Sequence, residues 1–392
     1  MLATEFKLPY RALRCAQAAG ARIFVLGTPP AKGLSFSRYC KAFIQARRPL
    51  DGELDPDLAT EINAHVERLG IDMVMATDAH ALRSLILIRD QLVAACFPTP
   101  SLETFDLLND KARFTGLCRT LGVNCPRSRV FASPSAVNQA IEAGALELPA
   151  IIKPLRMDGG AGCFTLRGPT ARDRLSRVFY RPVLVQDLID GDDISASVYC
   201  EAGEVLASVV YAYKAGIYRT FVEPAILTEI GRITAHLKAD GIYNFDIVRS
   251  RGGEVFFLEC NPRMFFTMNM SMLAGLNFVA AGLPGRRQPP LSLPPRTIYF
   301  PGSILASLSR YWRMGGNVWP GMKFSLADPI PYLRERLGFE GRVRWLEHDA
   351  VNSAIGRSQA SDPADPEAEI GPKAPDPAAA EAGRPPRRRP RA

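Results

Sequence analysis

Glu259-Cys260-Asn261-Pro262-Arg263, read together with Asp246 thirteen residues earlier, is the stretch that decides what kind of protein this chain is. The segments 244–249 and 254–259 are rich in β-branched and aromatic residues, and Ser250-Arg251-Gly252-Gly253 between them has turn chemistry, so the spacing predicts a hairpin. Pairing Arg249 with Glu254 sets Asn244 opposite Glu259. Because side chains alternate across a strand, Asp246, Glu259 and Asn261 then project from one face, with Asp246 diagonal to Glu259. Two carboxylates this close repel, and one is driven toward its protonated form unless a cation stands between them. Hard divalent ions such as magnesium take this kind of oxygen set, keep several waters and share the phosphates of a substrate. The alternative is a surface hairpin with solvated charges; Asn261 and Arg263 weigh against it.

The chain around this hairpin has 392 residues and an apolar fraction of 47%, enough for two or three domains with a sizeable core. Its eight cysteines form no C-x-x-C pair, which predicts reduced thiols and a cytoplasmic location. The opening residues lack the pattern of a secretory signal. The longest apolar run, 264–283, is interrupted by Asn269, Asn277 and glycines, so we expect buried loop and helix and no membrane span. A net charge of +8 raises the question of nucleic acid. Only 9 of the 48 basic residues are lysine, and the arginines are scattered among acids without interleaved aromatic ladders, which argues against such a partner. The one dense cluster, Arg387-Arg388-Arg389-Pro390-Arg391, closes a stretch from Arg357 that has no aromatic residue and predicts a solvated, disordered tail.

Toward the N-terminus the elements alternate. A short strand at 2–6, a helix at 10–19, strands at 22–26 and 72–76, and a helix opening at Asp55-Pro56 with an apolar stripe of Leu58, Ile62, Val66 and Leu69 predict a parallel sheet. No G-x-G-x-x-G follows the first strand, so the unit reads as Rossmann-like without a dinucleotide. A second unit opens near Leu107. Lys111 sits in the first turn of a helix running 110–121, where a cation opposes the helix dipole and needs an explanation. Ala150-Ile151-Ile152-Lys153-Pro154 is an apolar strand ending in lysine, followed by a loop from Met157 to Gly162 that contains Gly159, Gly160 and Gly162. Such a loop can turn backbone N–H groups onto phosphate, although the P-loop spacing is absent. Then comes an apolar strand leading into Gln186-Asp187-Leu188-Ile189, an acidic pair at Asp192-Asp193, and a strand at 197–200.

Lysine on an early helix, strand-lysine-proline with a glycine loop, a hinge with an acid, then Asp…Glu-x-Asn: this ordered set resembles the ATP-grasp superfamily over residues 107–283, and its last motif is most similar to the ATP-grasp domains of the carbamoyl phosphate synthetase large subunit. The resemblance implies a mixed α/β and α+β architecture: a Rossmann-like domain at 1–105, an ATP-grasp small lobe at 106–185, a large lobe at 186–285, a C-terminal appendage at 286–350 and the tail at 351–392. It implies that Lys111 and Lys153 reach the ATP phosphates under the glycine loop. Gln186, Asp187 and Ile189 would form the hinge that reads adenine, and Asp193 would accept from the ribose. Asp246, Glu259 and Asn261 would hold magnesium, with manganese as an alternative ion. Arg263 would stabilise the transferring phosphoryl group, with Lys214 as a second cation and Arg219 as its substitute. The activity implied is ATP-dependent ligation, in which a small-molecule carboxylate becomes an acyl phosphate and an amine or similar nucleophile attacks it; self-association is left open. An ATP-binding regulator or phosphotransferase on the same fold, and a basic nucleic-acid-binding protein, are the alternatives. The chain departs from the pattern at Gln186 and Asp193, where glutamate is common, and at Phe266, where related synthetases have arginine. The run Met264, Phe265, Phe266, Met268, Met270 and Met272 reads either as an acyl pocket or as core, and 286–350 as a cover over the substrate site, with Pro289-Pro290 and Pro294-Pro295 as linker and helices at 299–312 and 331–337.

Overall fold

The computed structural model describes residues 1–157, 161–168, 174–284, 291–300 and 318–337. The N-terminal strands β1 (Leu2–Ala3), β2 (Ile23–Gly27) and β3 (Cys40–Gln45) pair in parallel, as do β4 (Met73–Val74) and β5 (Ala95–Cys96). A single bridge between Leu2 and Ala76 sets the two ladders side by side. The first strand is shorter than the sequence predicts, because residues 4–6 bend into the helix Lys7–Ala18, with Phe6 already helical in φ and ψ. The helix Pro56–Leu69 is built as its sequence dictates. Asp55 accepts from the Asp57 N–H at the start, Gly70 ends it with φ of 61°, and Leu58, Ile62 and Val66 bury against the sheet.

Two further sheets carry the chemistry. The smaller is antiparallel, with β6 (Ser128–Phe131), β9 (Val183–Asp187), β7 (Ala150–Lys153) and β8 (Phe164–Leu166) in that spatial order. The larger runs β14 (Val255–Asn261), β13 (Gly241–Ser250), β10 (Gly191–Glu201), β11 (Glu204–Lys214), β12 (Ile217–Phe221) and β16 (Thr297–Tyr299), with β15 (Leu291–Ser292) beside β11. Period-two alternation sorts its faces. Ile194, Ala196, Val198 and Cys200 of β10 bury with Ile226, Ile230 and Ile233 of the helix Pro224–Leu237, and the intervening Ser195 and Ser197 face the other way. Two expectations need correcting here. Gln186 and Asp187 belong to β9, so the break expected between 185 and 186 falls inside a strand of the smaller sheet. The strand expected at 197–200 begins at Gly191, which places Asp193 within it.

The methionine run is core. Met264, Phe265, Met268 and Met270 are buried in the cluster that joins the helix Lys7–Ala18 to the large sheet, Met272 packs partly buried against it, and Phe266 is 45% exposed. The end of the described chain does not cover the carboxylates. The helices Trp319–Leu326 and Pro329–Leu337 dock on the N-terminal unit instead, where Arg14 donates to the Phe324 carbonyl at 2.9 Å. Buried Asp328 accepts from Ser37 Oγ at 2.6 Å and from the Arg38 N–H at 3.1 Å. Tyr299 lies in β16 rather than in a helix, and Pro331 to Leu337 lie within the second of these helices. Pro289, Pro290, residues 301–312, Trp345 and the arginine-rich tail lie outside the described residues. No helix among the described residues is long and apolar enough to cross a membrane. Asp328→Ala removes the acceptor for two buried donors, and should lower stability by about 1–3 kcal/mol in equilibrium urea unfolding while exposing 318–337 to earlier proteolysis.

Candidate active site

The hairpin forms as the sequence predicts, with one change of register. Arg249 pairs with Val255 rather than Glu254, and an irregularity between Asp246 and Ile247 skips Leu258 on β14. Asp246 therefore lies directly opposite Glu259, and Asn244 opposite Asn261. The bulge brings the two carboxylates closer than the diagonal expected from unbroken pairing. Asp246 is held from three sides: Ser195 Oγ and Asn244 Nδ2 each donate to Oδ1 at 3.2 Å, and Asn261 Nδ2 donates to Oδ2 at 3.3 Å. Asn244 Oδ1 is fixed in turn by Ser197 Oγ at 2.8 Å and Tyr211 OH at 2.9 Å, and Thr267 Oγ1 donates to Tyr211 OH at 2.8 Å. Arg263 reaches back to Asn261 Oδ1 at 3.2 Å.

Both lysines approach this pair from other elements. Asp110 caps the helix Lys111–Leu121 by accepting from the N–H groups of Ala112 and Arg113, which supplies the negative charge that a lysine in the first turn requires. Lys111 Nζ lies 3.3 Å from Glu259 Oε2 and donates to the Met157 carbonyl at 2.9 Å. Lys153, at the end of β7, donates to Gln186 Oε1 at 2.8 Å, and Gln186 Nε2 donates to Ser128 Oγ at 3.1 Å. Burial lowers the Lys153 pKa, and the charge of Glu259 opposes this only in part. Burial, reinforced by the Glu259 charge, pushes the Asp246 carboxyl up to about 7. Burial raises Glu259 as well, but Lys111 and Lys153 outweigh it and hold that carboxyl below its ordinary value. Without a cation, Asp246 therefore holds its proton to a higher pH than an ordinary carboxyl does.

The remaining predicted residues are distributed unevenly. Asp193 lies two residues from Ser195 on the same face of β10 and is exposed. The Asp187 N–H is taken by the Arg127 carbonyl at 2.9 Å and its carboxylate pairs with Arg127, so that backbone donor is not open to a base. Ile189 follows directly on β9, half-buried. Gly162 has φ of 72°, and a Cβ there would lie 2.8 Å from Tyr180, whose hydroxyl donates to the Gly162 carbonyl; Gly159 and Gly160 lie outside the described residues. Lys214 is not brought to the pair. It ends β11 at the turn into β12, three residues from Tyr211 and thus on the opposite face; Arg219, beside Tyr218, also points away. The sequence reading missed the side-chain role of Gln186 and the shell of Ser195, Ser197, Asn244, Tyr211 and Thr267. Alternate serines in an otherwise apolar strand were the available signal.

A hard cation fits this donor set. Among the described residues no group of three His, Cys, Asp or Glu forms a metal cluster; beside the two carboxylates stands the Asn261 amide, whose Nδ2 faces Asp246 and whose Oδ1 accepts from Arg263. Two carboxylates and an amide suit an ion that keeps its waters and draws its other ligands from a phosphate chain. The pair also fixes a pH dependence. Asp246 has a folded pKa of about 7 against an ordinary 3.8, so between these values the folded state binds the extra proton and stability falls as pH rises. Glu259, being depressed, contributes with the opposite sign, and its stabilisation is lost only below its ordinary range. In metal-free buffer, Tm should decline from pH 5 to pH 8, and Asp246→Asn should flatten that slope; an unchanged slope in the variant would refute this assignment.

Residues 179–297 match the family described as "ATP-grasp in the biosynthetic pathway with Ter operon". No curated protein matches the chain significantly in sequence. Among solved structures, N5-carboxyaminoimidazole synthetase from Staphylococcus aureus superposes with a TM-score of 0.59 at 14% identity, covering 80% of this chain and 85% of its own. Biotin carboxylase from Campylobacter jejuni, solved as a β-γ-ATP complex, gives 0.54 at 18% identity over 74% and 73% of the two chains. L-amino acid ligase from Bacillus licheniformis gives 0.53 at 16% over 74% and 73%. With the carboxylate hairpin, the two lysines and the paired sheets in place, the family match and the shared fold put the chain in the ATP-grasp superfamily.

Proposed function

We propose that the chain is a magnesium- and ATP-dependent ligase that activates a carboxylate as an acyl phosphate for attack by an amine or similar nucleophile. The observation that carries this reading is the contact of Lys111 with Glu259 at 3.3 Å, which unites a cation from one helix with the carboxylate pair of the hairpin. Positive charge for a phosphate chain and oxygen ligands for its metal then meet at one place. Asp246, Glu259 and Asn261 would hold magnesium, and that ion would neutralise charge on the phosphates. Lys111 would exchange Glu259 for a phosphate oxygen, and Lys153, held by Gln186, would present an unspent charge to the same chain. Arg263 would move from Asn261 toward the oxygens of the transferring group, whose charge it stabilises. Asp193 would accept from the ribose, and the backbone at Leu188 and Ile189 would meet the adenine edge, the Asp187 donor being in use. We assign the smaller sheet, with Lys153, to a lobe that closes on the larger and excludes water from the acyl phosphate. The N-terminal parallel sheet is assigned to a preceding domain. The relatives of similar fold whose names specify a synthetase, a carboxylase and a ligase favour this reaction class.

Release of ADP across a panel of carboxylates and amines tests the reading. A substrate pair should raise it well above background in the wild type, and Glu259→Gln should lower kcat by roughly 100-fold or more while leaving the fold intact by circular dichroism. Failure of every pair to exceed the Glu259→Gln rate would sink it. A second expectation concerns Gln186. The charge that it anchors is the test: Lys153→Gln should raise the KM for ATP roughly tenfold with a smaller change in Tm. Unchanged ATP affinity would remove Lys153 from the phosphate site.

A further inference from the structure

The function proposed above leaves the acid substrate open, and Phe266 bears on it. Its flanking residues are buried: Met264 is 3% exposed, Phe265 2%, Thr267 6% and Met268 0%, whereas Phe266 is 45% exposed. Singly exposed apolar residues are ordinary on protein surfaces, but this one has a specific position. Arg263 lies three residues before it and holds Asn261; Thr267 follows it and holds Tyr211, which holds Asn244 beside Asp246. Three residues of chain span about 10 Å at most, so Phe266 lies within that reach of Arg263, which holds Asn261 beside Asp246. One face of the ring is already occupied. The Arg11 guanidinium lies 3.8 Å from the ring centroid, is 5% exposed, and donates to the Lys7 carbonyl at 2.8 Å. That contact fixes the ring and leaves the rest of it toward solvent, while the same guanidinium adds positive potential near a bound carboxylate.

We propose that Phe266, clamped by Arg11, is the specificity-determining floor of the acid subsite, and that it selects a carboxylate with an aromatic or branched apolar body over a small polar one. The carboxylate end of such an acid faces Arg263 and its apolar body covers the exposed part of the ring. This inference rests on the ligase reading, and the experiment separates the two. ADP release is measured with matched acids, phenyl- and isobutyl-substituted against acetate, bicarbonate and aspartate, in wild type, Phe266→Leu and Phe266→Ser. Binding of the same acids is followed by saturation-transfer NMR with magnesium and a non-hydrolysable ATP analogue present. The apolar acids should bind and turn over preferentially. Phe266→Ser should raise their KM roughly tenfold or more, Phe266→Leu should retain most of the preference, and KM for ATP should stay within about twofold throughout. Turnover confined to polar acids, or an unchanged KM in Phe266→Ser, overturns the subsite while leaving the ligase reading intact. Absence of both binding and turnover for every acid overturns both.

Discussion

The candidate site depends on holding two carboxylates directly opposite each other on adjacent strands. Left to themselves, Asp246 and Glu259 would repel. The protein offsets that repulsion in two ways: a proton retained on Asp246, and the cations Lys111 and Lys153 arranged around Glu259. Each of these requires its own support. Asp110 makes lysine tolerable at the start of a helix, Gln186 anchors Lys153 without neutralising it, and of the β10 serines Ser197 holds the asparagine that holds Asp246 while Ser195 donates to Asp246 itself. The polar face of the large sheet is thus a scaffold for one uncomfortable pair of charges.

That discomfort is what makes the pair suited to a divalent ion bound with a phosphate chain. A site fully satisfied by its own hydrogen bonds would have little to gain from a metal. On the proposed reading, a bound cation would displace the proton from Asp246 and free Lys111 for a phosphate oxygen, so that metal and anion would assist each other's entry. The opposite face of the same sheet is plain apolar packing against the helix Pro224–Leu237, which keeps the strands rigid while the polar face carries the chemistry.

The C-terminal helices take a different role from the one their aromatic content suggests. Asp328, Arg14 and Ser37 tie them to the N-terminal unit rather than over the carboxylates, and the methionine run after Arg263 is consumed in the core between that unit and the large sheet. The N-terminal unit therefore reaches the loop after Arg263, with Arg11 on its first helix against the Phe266 ring.

Much of this was legible in the residues. The hairpin, the capped helices Pro56–Leu69 and Lys111–Leu121, and the strand bearing Lys153 all follow from turn chemistry, caps and period-two patterning, which are local. The order of lysine, glycine loop, acid and Asp…Glu-x-Asn carried the fold family for the same reason, since each motif occupies a short span. What the sequence could not determine is whatever depends on residues far apart in it. The bulge that sets Asp246 directly against Glu259 arises from strand pairing, the Gln186–Lys153 bond crosses 33 positions, and the Arg11–Phe266 contact joins the first helix to the loop after the hairpin. Strand parity in the large sheet turned Lys214 away, a matter of face and register that spacing along the chain leaves open. Local chemistry named the ligands; the tertiary structure decided which of them meet.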